Sequence, residues 1–209
     1  MKGGNEMNEA NENAVIPEQP KKPSAAYETT GLLYDFVEML GVVAVILMLI
    51  FSFVVRLNIV DGSSMVDTLH DKEYVVVAEL GYKPVRGDIV VVDDQTATPY
   101  DHPIVKRVIA TGGQTVDIDF TTWTLTVDGE VVDESAYRHL EGATLTSDYP
   151  FPITVPEGRV FVLGDNRNKS ADSRQIEIGC VDERCVVGKA VARIFPLKAV
   201  TLFKNPYEA

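Results

Sequence analysis

The chain has 209 residues, 45% of them hydrophobic, and a formal net charge of −12 from 19 Lys and Arg against 31 Asp and Glu. At an ordinary ~100–200 residues per domain this is one globular domain with attachments, and an acidic chain without a basic cluster argues against nucleic-acid binding. Its two cysteines, Cys180 and Cys185, exclude a disulfide scaffold and a four-ligand structural zinc site.

Residues 1–30 are rich in Asn, Glu, Pro and Lys and poor in large apolar side chains, the composition of a disordered tail. From Met39 to Val55 the chain carries no charge for seventeen residues. That reaches the lower limit of roughly 17–25 for crossing hydrocarbon. A cleavable signal peptide would need a nearby basic segment and a small-x-small cleavage site, and a buried core helix would show a polar stripe. The expected reading is an uncleaved membrane anchor over 31–57, with flanking charges that leave its orientation open.

Beyond the anchor the texture changes to short β-branched runs between turn signals: Tyr74–Ala78, Ile89–Val92, Ile104–Ala110, Trp123–Val127, Val160–Leu163 and Val186–Ile194. Strands at this spacing, without long helical periodicity, predict a mostly β domain over 58–209. Asp128-Gly129 marks a tight hairpin turn. Residues 115–156 read as a hairpin-bearing excursion that returns through Pro150, Pro152 and Pro156.

Three segments carry candidate chemistry. Asp61-Gly62-Ser63-Ser64-Met65 is a glycine-led turn that could expose a nucleophilic serine and backbone N–H donors, or be a plain turn. His70, His102 and His139 have no setting that distinguishes them as bases. Lys106, within Ile104-Val105-Lys106-Arg107-Val108, could be a base if burial depresses its pKa, or could sit on the solvated face of an amphipathic strand. Gly164 to Arg174 is dense in Asn, Asp and Ser, a structured loop in which Asp165, Asp172, Arg167 and Arg174 can form ion pairs.

Together and in order, these pieces resemble the bacterial type I signal peptidases, membrane-anchored Ser/Lys proteases. Gly62-x-Ser64-Met65-x-x-Thr68-Leu69 is similar to the family's nucleophile box, and Arg86-Gly87-Asp88-Ile89-Val90 to the box leading into a strand. Val105-Lys106-Arg107-Val108 is similar to its general-base box, and Gly164-Asp165-Asn166-Arg167 through Ser170-x-Asp172-Ser173-Arg174 to its last box. The resemblance implies Ser64 as nucleophile, Lys106 as general base, and Ser170 as the group that hydrogen-bonds and orients the Lys106 amine. It also implies the Ser64 N–H as oxyanion donor, Asp172 and Arg174 as a structural pair, and Asp165 as a support. Gly62 stands where some members place a serine as a second oxyanion donor. The fold implied is a signal-peptidase-like β domain behind one N-terminal transmembrane helix, with no metal or cofactor. The implied partners are secreted preproteins, cut after small-x-small sites, and the lipid bilayer; a monomer is expected, with a cytoplasmic tail and an extracytoplasmic β domain.

Two features depart from the family. Asp67 replaces the usual proline, which removes a fixed φ and brings a carboxylate that, close to Lys106, would favour the ammonium form. The stretch Gln175–Ile178 after the last arginine is lengthened. One alternative is therefore a catalytically silent, membrane-tethered assembly factor in which Asp67 spoils the dyad. A self-cleaving repressor would share the Ser/Lys dyad but needs a DNA-binding module, and a generic anchored binding protein would make the four ordered boxes coincidence. Cys180 and Cys185 could form a short-loop disulfide on an oxidising side of a membrane.

Overall fold

The structure is a computed structural model that describes residues 25–94, 102–142 and 146–208. The expected disordered tail lies mostly outside these residues. It divides into two units, Met1–Val45 and Ile46–Ala209. Helix α1 spans Ala25–Phe53, starting six residues before the end of that expected tail. Its Thr30–Phe51 stretch, 22 residues with a mean hydropathy of 2.3, is long and apolar enough to cross a membrane. Strand β1 (Val55–Ile59) starts inside the span assigned to the anchor, which therefore gives way to the β unit a few residues early.

Eight strands form one antiparallel sheet. With β2 (Tyr74–Ala78), β3 (Ile89–Val92), β4 (Ile104–Thr111), β9 (Arg159–Leu163), β10 (Val181–Asp182), β11 (Val186–Phe195) and β12 (Thr201–Leu202), the order is β1-β2-β11-β3-β4-β9-β10, and β12 pairs with β11. The excursion supplies a second antiparallel sheet from β5 (Thr115–Asp119), β6 (Thr124–Val127), β7 (Glu130–Val131) and β8 (Ile153–Thr154), ordered β7-β6-β5-β8. As the Asp-Gly pair predicts, β6 and β7 are joined at Asp128 and Gly129. Both have positive φ, 55° and 81°, the backbone such a two-residue turn requires.

The continuous apolar run Ile89-Val-Val-Val92 is explained by burial on both faces. Ile89 and Val91 pack into the cluster behind the nucleophile turn with Met65 and Leu69, while Val90 and Val92 pack with Ile104, Val108 and Val162. Strand β4 is likewise buried from Ile104 through Ala110, and the excursion sheet covers its far end through Val116, Ile118 and Leu125. No solvated face remains for Lys106, so its strand alternation does not carry it to water. Cys180 and Cys185 are free thiols, and the disulfide is not formed.

Candidate active site

The turn after β1 is built around two apolar pins. Met65 and Leu69 are fully buried, and the Leu69 N–H donates to the Met65 carbonyl at 2.8 Å, so Ser63 and Ser64 between β1 and these pins face outward. Gly62 has φ +87° and donates its N–H to Asp71 at 2.8 Å. The positive φ makes glycine the unstrained choice there. The Ser64 N–H has no hydrogen bond among the described residues, and its carbonyl accepts from Asn166 N at 3.0 Å. Asn166 also donates its side-chain amide to the Ser63 carbonyl at 3.0 Å, tying the turn to the 164–174 loop.

Lys106 reaches this turn from β4. Its Nζ lies 2.8 Å from Ser64 Oγ and 3.1 Å from the Val105 carbonyl, and the residue is 3% exposed. Burial pulls the amine down to about 8 against the opposing pull of Asp172 and Asp165, with Arg174 assisting the lowering. The neutral amine is therefore accessible near neutral pH. Its expected orienting partner differs: Ser170 is buried beside Gly164, but its Oγ makes no hydrogen bond to Lys106. A backbone carbonyl, which no side-chain pattern announces, takes that place.

The other carried-over residues form the frame. Asp172 is buried and accepts from Arg174 Nε at 2.7 Å and Nη2 at 2.8 Å, and from the Gly164 N–H at 3.0 Å. Burial opposes its ionisation, yet Arg174 holds the carboxyl below its ordinary range. Asp165 pairs with Arg107 rather than with an arginine of its own loop. Two bonds of 2.8 and 2.7 Å join them, and Thr68 of the nucleophile turn donates to the same carboxylate at 2.5 Å. Arg167 pairs with the buried Glu134 of the excursion. Arg107, Thr68 and Glu134 are thus structural partners that sequence reasoning left unassigned; the loop residues they meet, Asp165 for the first two and Arg167 for the third, lie 58, 97 and 33 residues away.

Asp67 points away from the reaction centre. Its side chain is 78% exposed and lies 3.1 Å from His139 Nδ1, and it does not contribute to the lowered Lys106 pKa. The concern that this carboxylate charges the base is thereby removed. A cleft of about 310 Å³ opens over the pair, lined by Gly62, Ser64, Ile104, Val105, Lys106 and Lys169 among others. Among the described residues no group of three or more His, Cys, Asp or Glu side chains is arranged to hold a metal.

A serine hydroxyl beside a buried amine with a lowered pKa, on an antiparallel β scaffold, is the arrangement of a serine hydrolase that uses lysine in place of histidine. Residues 33–195 match the family described as signal peptidase, peptidase S26, and the chain belongs to that family. It is 35% identical to signal peptidase I of Bacillus licheniformis over 182 residues, which cover 80% of this chain and 91% of that one. It is 33% identical to signal peptidase IB of Staphylococcus aureus strain MRSA252, over 83% of this chain and 95% of the relative. A solved signal peptidase I from Enterococcus faecalis aligns with 52% of this chain and 97% of its own, at 32% identity and a TM-score of 0.41. The membership agrees with the fold and enzyme class expected from the four boxes, and nothing in these likenesses favours the catalytically silent alternative.

Proposed function

We propose that the protein is a membrane-anchored signal peptidase in which Ser64 is the nucleophile and Lys106 the general base, removing signal peptides from secreted preproteins after small-x-small sites. The observation that carries this reading is the 2.8 Å contact between Ser64 Oγ and the buried Lys106 amine. Neutral Lys106 takes the hydroxyl proton as Ser64 attacks the scissile carbonyl, and the Ser64 N–H receives the developing oxyanion. The ammonium then protonates the departing amine of the mature protein, leaving an acyl-enzyme. The regenerated amine draws a proton from water for the second attack. Asp165, Asp172, Arg174, Ser170 and Gly62 support the pair without touching the substrate carbonyl.

Membrane attachment follows from α1 and the family. The finer topology is also part of this reading: the residues before α1 are cytoplasmic and the β unit is extracytoplasmic, working as a monomer. The exposed apolar side chains Leu57, Ile59, Tyr74 and Phe195 on β1, β2 and β11 suit a strand surface that rests on lipid. The domain division is a tail to about residue 30, an anchor to about 57, and a catalytic unit beyond.

The test is cleavage of a preprotein by the detergent-solubilised chain beside Ser64→Ala, Lys106→Ala and Lys106→Arg, with the new N-terminus sequenced. A product cut after a small-x-small site, absent with all three variants, is expected, since a guanidinium cannot act as the base. Turnover retained in Lys106→Arg removes the lysine from the mechanism, and an inert folded wild type returns the silent reading.

A further inference from the structure

Outside the four boxes, the segment 203–208 reaches the neighbours of the dyad. Asn205 is 7% exposed and donates its amide to the Arg86 carbonyl at 2.8 Å and to Asp88 at 3.0 Å. It sits so close over Gly87, whose φ is +93°, that a Cβ there would strike Asn205 Oδ1 and the Tyr207 ring. Tyr207 donates its N–H to Asn205 Oδ1 at 2.9 Å and its hydroxyl to the Asp133 carbonyl at 3.0 Å. The same hydroxyl lies 2.6 Å from the hydroxyl of Tyr137, and the two rings meet edge to face.

Tyr137 is buried and serves as the plate for Arg107, whose guanidinium lies 4.1 Å from the ring centroid. Arg107 donates to the Gly87 carbonyl at 2.7 Å and makes its two bonds to Asp165. Asp165 in turn accepts from Thr68. One run of contacts therefore leads from Tyr207 through Tyr137, Arg107 and Asp165 to Thr68. Arg107 adjoins Lys106 in β4, and Thr68 shares the turn with Ser64. Phe203 anchors the near end of the segment by packing on the cluster that holds Met65 and Leu69.

We propose that residues 203–208 form a positioning strap, in which Tyr207 acts through Tyr137 on the Arg107–Asp165 clamp and so fixes the mutual placement of Ser64 and Lys106. This rests on the peptidase reading above. Tyr207 touches no reacting atom; its effect on chemistry is indirect and has a signature. The charged groups acting on Lys106 are Asp172, Asp165 and Arg174, while Asp61, Lys169 and His102 line the open cleft. Of these, Asp165 is neutralised by Arg107. A guanidinium that slides off its tyrosine plate screens Asp165 less, and an unscreened carboxylate favours the ammonium form of Lys106. Slackening the strap therefore moves the rise of activity to higher pH, besides lowering turnover.

The experiment compares the full-length solubilised protein with Tyr207→Phe and Tyr207→Ala on one preprotein, measuring kcat, KM and the pH profile of kcat/KM, with thermal melting as the check on folding. Tyr207→Phe deletes only the hydroxyl link and keeps the ring, so it remains informative if the alanine variant does not fold. The expected result is graded: kcat falls about twofold in Tyr207→Phe and about tenfold in Tyr207→Ala with KM little changed, and the limb moves to higher pH in the same order. Two folded variants with the wild-type limb and turnover overturn the strap. So does a loss of turnover that follows the folded fraction while the limb stays in place, because that marks a purely structural segment. A wild type that cleaves nothing overturns the peptidase reading, and this inference with it.

Discussion

Replacing Lys106 with methionine removes the amine while keeping a straight side chain of similar length, which separates the chemistry of this residue from its cost to the fold. The amine is held near 8 instead of 10.5, with burial as the leading cause. At about 1.4 kcal/mol for each tenfold change in proton affinity, carrying a proton there at pH 7 costs the folded state on the order of 3 kcal/mol. Between about 8 and 10.5 the unfolded chain holds a proton that the folded chain has released. Wild-type stability therefore climbs with pH across that window, and the full penalty applies below it. Losing the hydrogen bonds to Ser64 and Val105 returns about 1 kcal/mol. Lys106→Met should thus be about 2 kcal/mol more stable than wild type at pH 7, a rise in melting temperature of roughly 4–8 °C for a unit of this size. The advantage should be gone by a pH of about 10.5, and cleavage should be absent throughout. Thermal unfolding of both proteins in the same detergent, followed by circular dichroism at the two pH values, measures this. A methionine variant that melts at or below wild type at pH 7, or whose advantage persists unchanged at the alkaline end, refutes the buried-amine account.

The pH profile of wild-type kcat/KM should rise along a limb centred near 8, because only the neutral amine accepts the Ser64 proton. From pH 7 to 9 the neutral fraction then goes from about one tenth to about nine tenths, whereas a limb near 10.5 would mean an amine that burial has not altered. Asp67→Asn should leave that limb within about half a pH unit and turnover within about threefold, since the carboxylate is exposed and lies against His139. A clear acid-ward displacement of the limb in this variant would put Asp67 back against the amine.

Local features were the legible ones. The Asp128-Gly129 turn needs only two neighbouring residues with the right φ. The pairing of Ser64 with Lys106 was readable only because the boxes occur in a known order; strand periodicity alone favoured a solvated lysine. That preference failed because β4 is covered on both faces, Val105 packing into the cluster of Met65 and Leu69, Ile104 and Val108 into the cluster of Ile178 and Val181, and Ile109 and Ala110 against the excursion, and such enclosure is a tertiary property. Ion pairing in the 164–174 loop was anticipated as local, which holds for Asp172 with Arg174. Asp165 and Arg167 instead take partners from β4 and the excursion, and nothing in the loop's own spacing encodes them. Asp67 was misjudged for the related reason that adjacency in sequence to the nucleophile does not fix the direction of a side chain.

Gly164 sits where the two working loops meet. A Cβ there would collide with the Ser170 side chain and with the Ser64 carbonyl, so these groups are already in contact across a bare backbone. The nucleophile turn and the 164–174 loop therefore meet through glycine backbone, with no room for a side chain at this position. Replacing Gly164 with alanine would have to part the two loops, so the closeness of the nucleophile turn to its neighbour rests on a side chain that is missing.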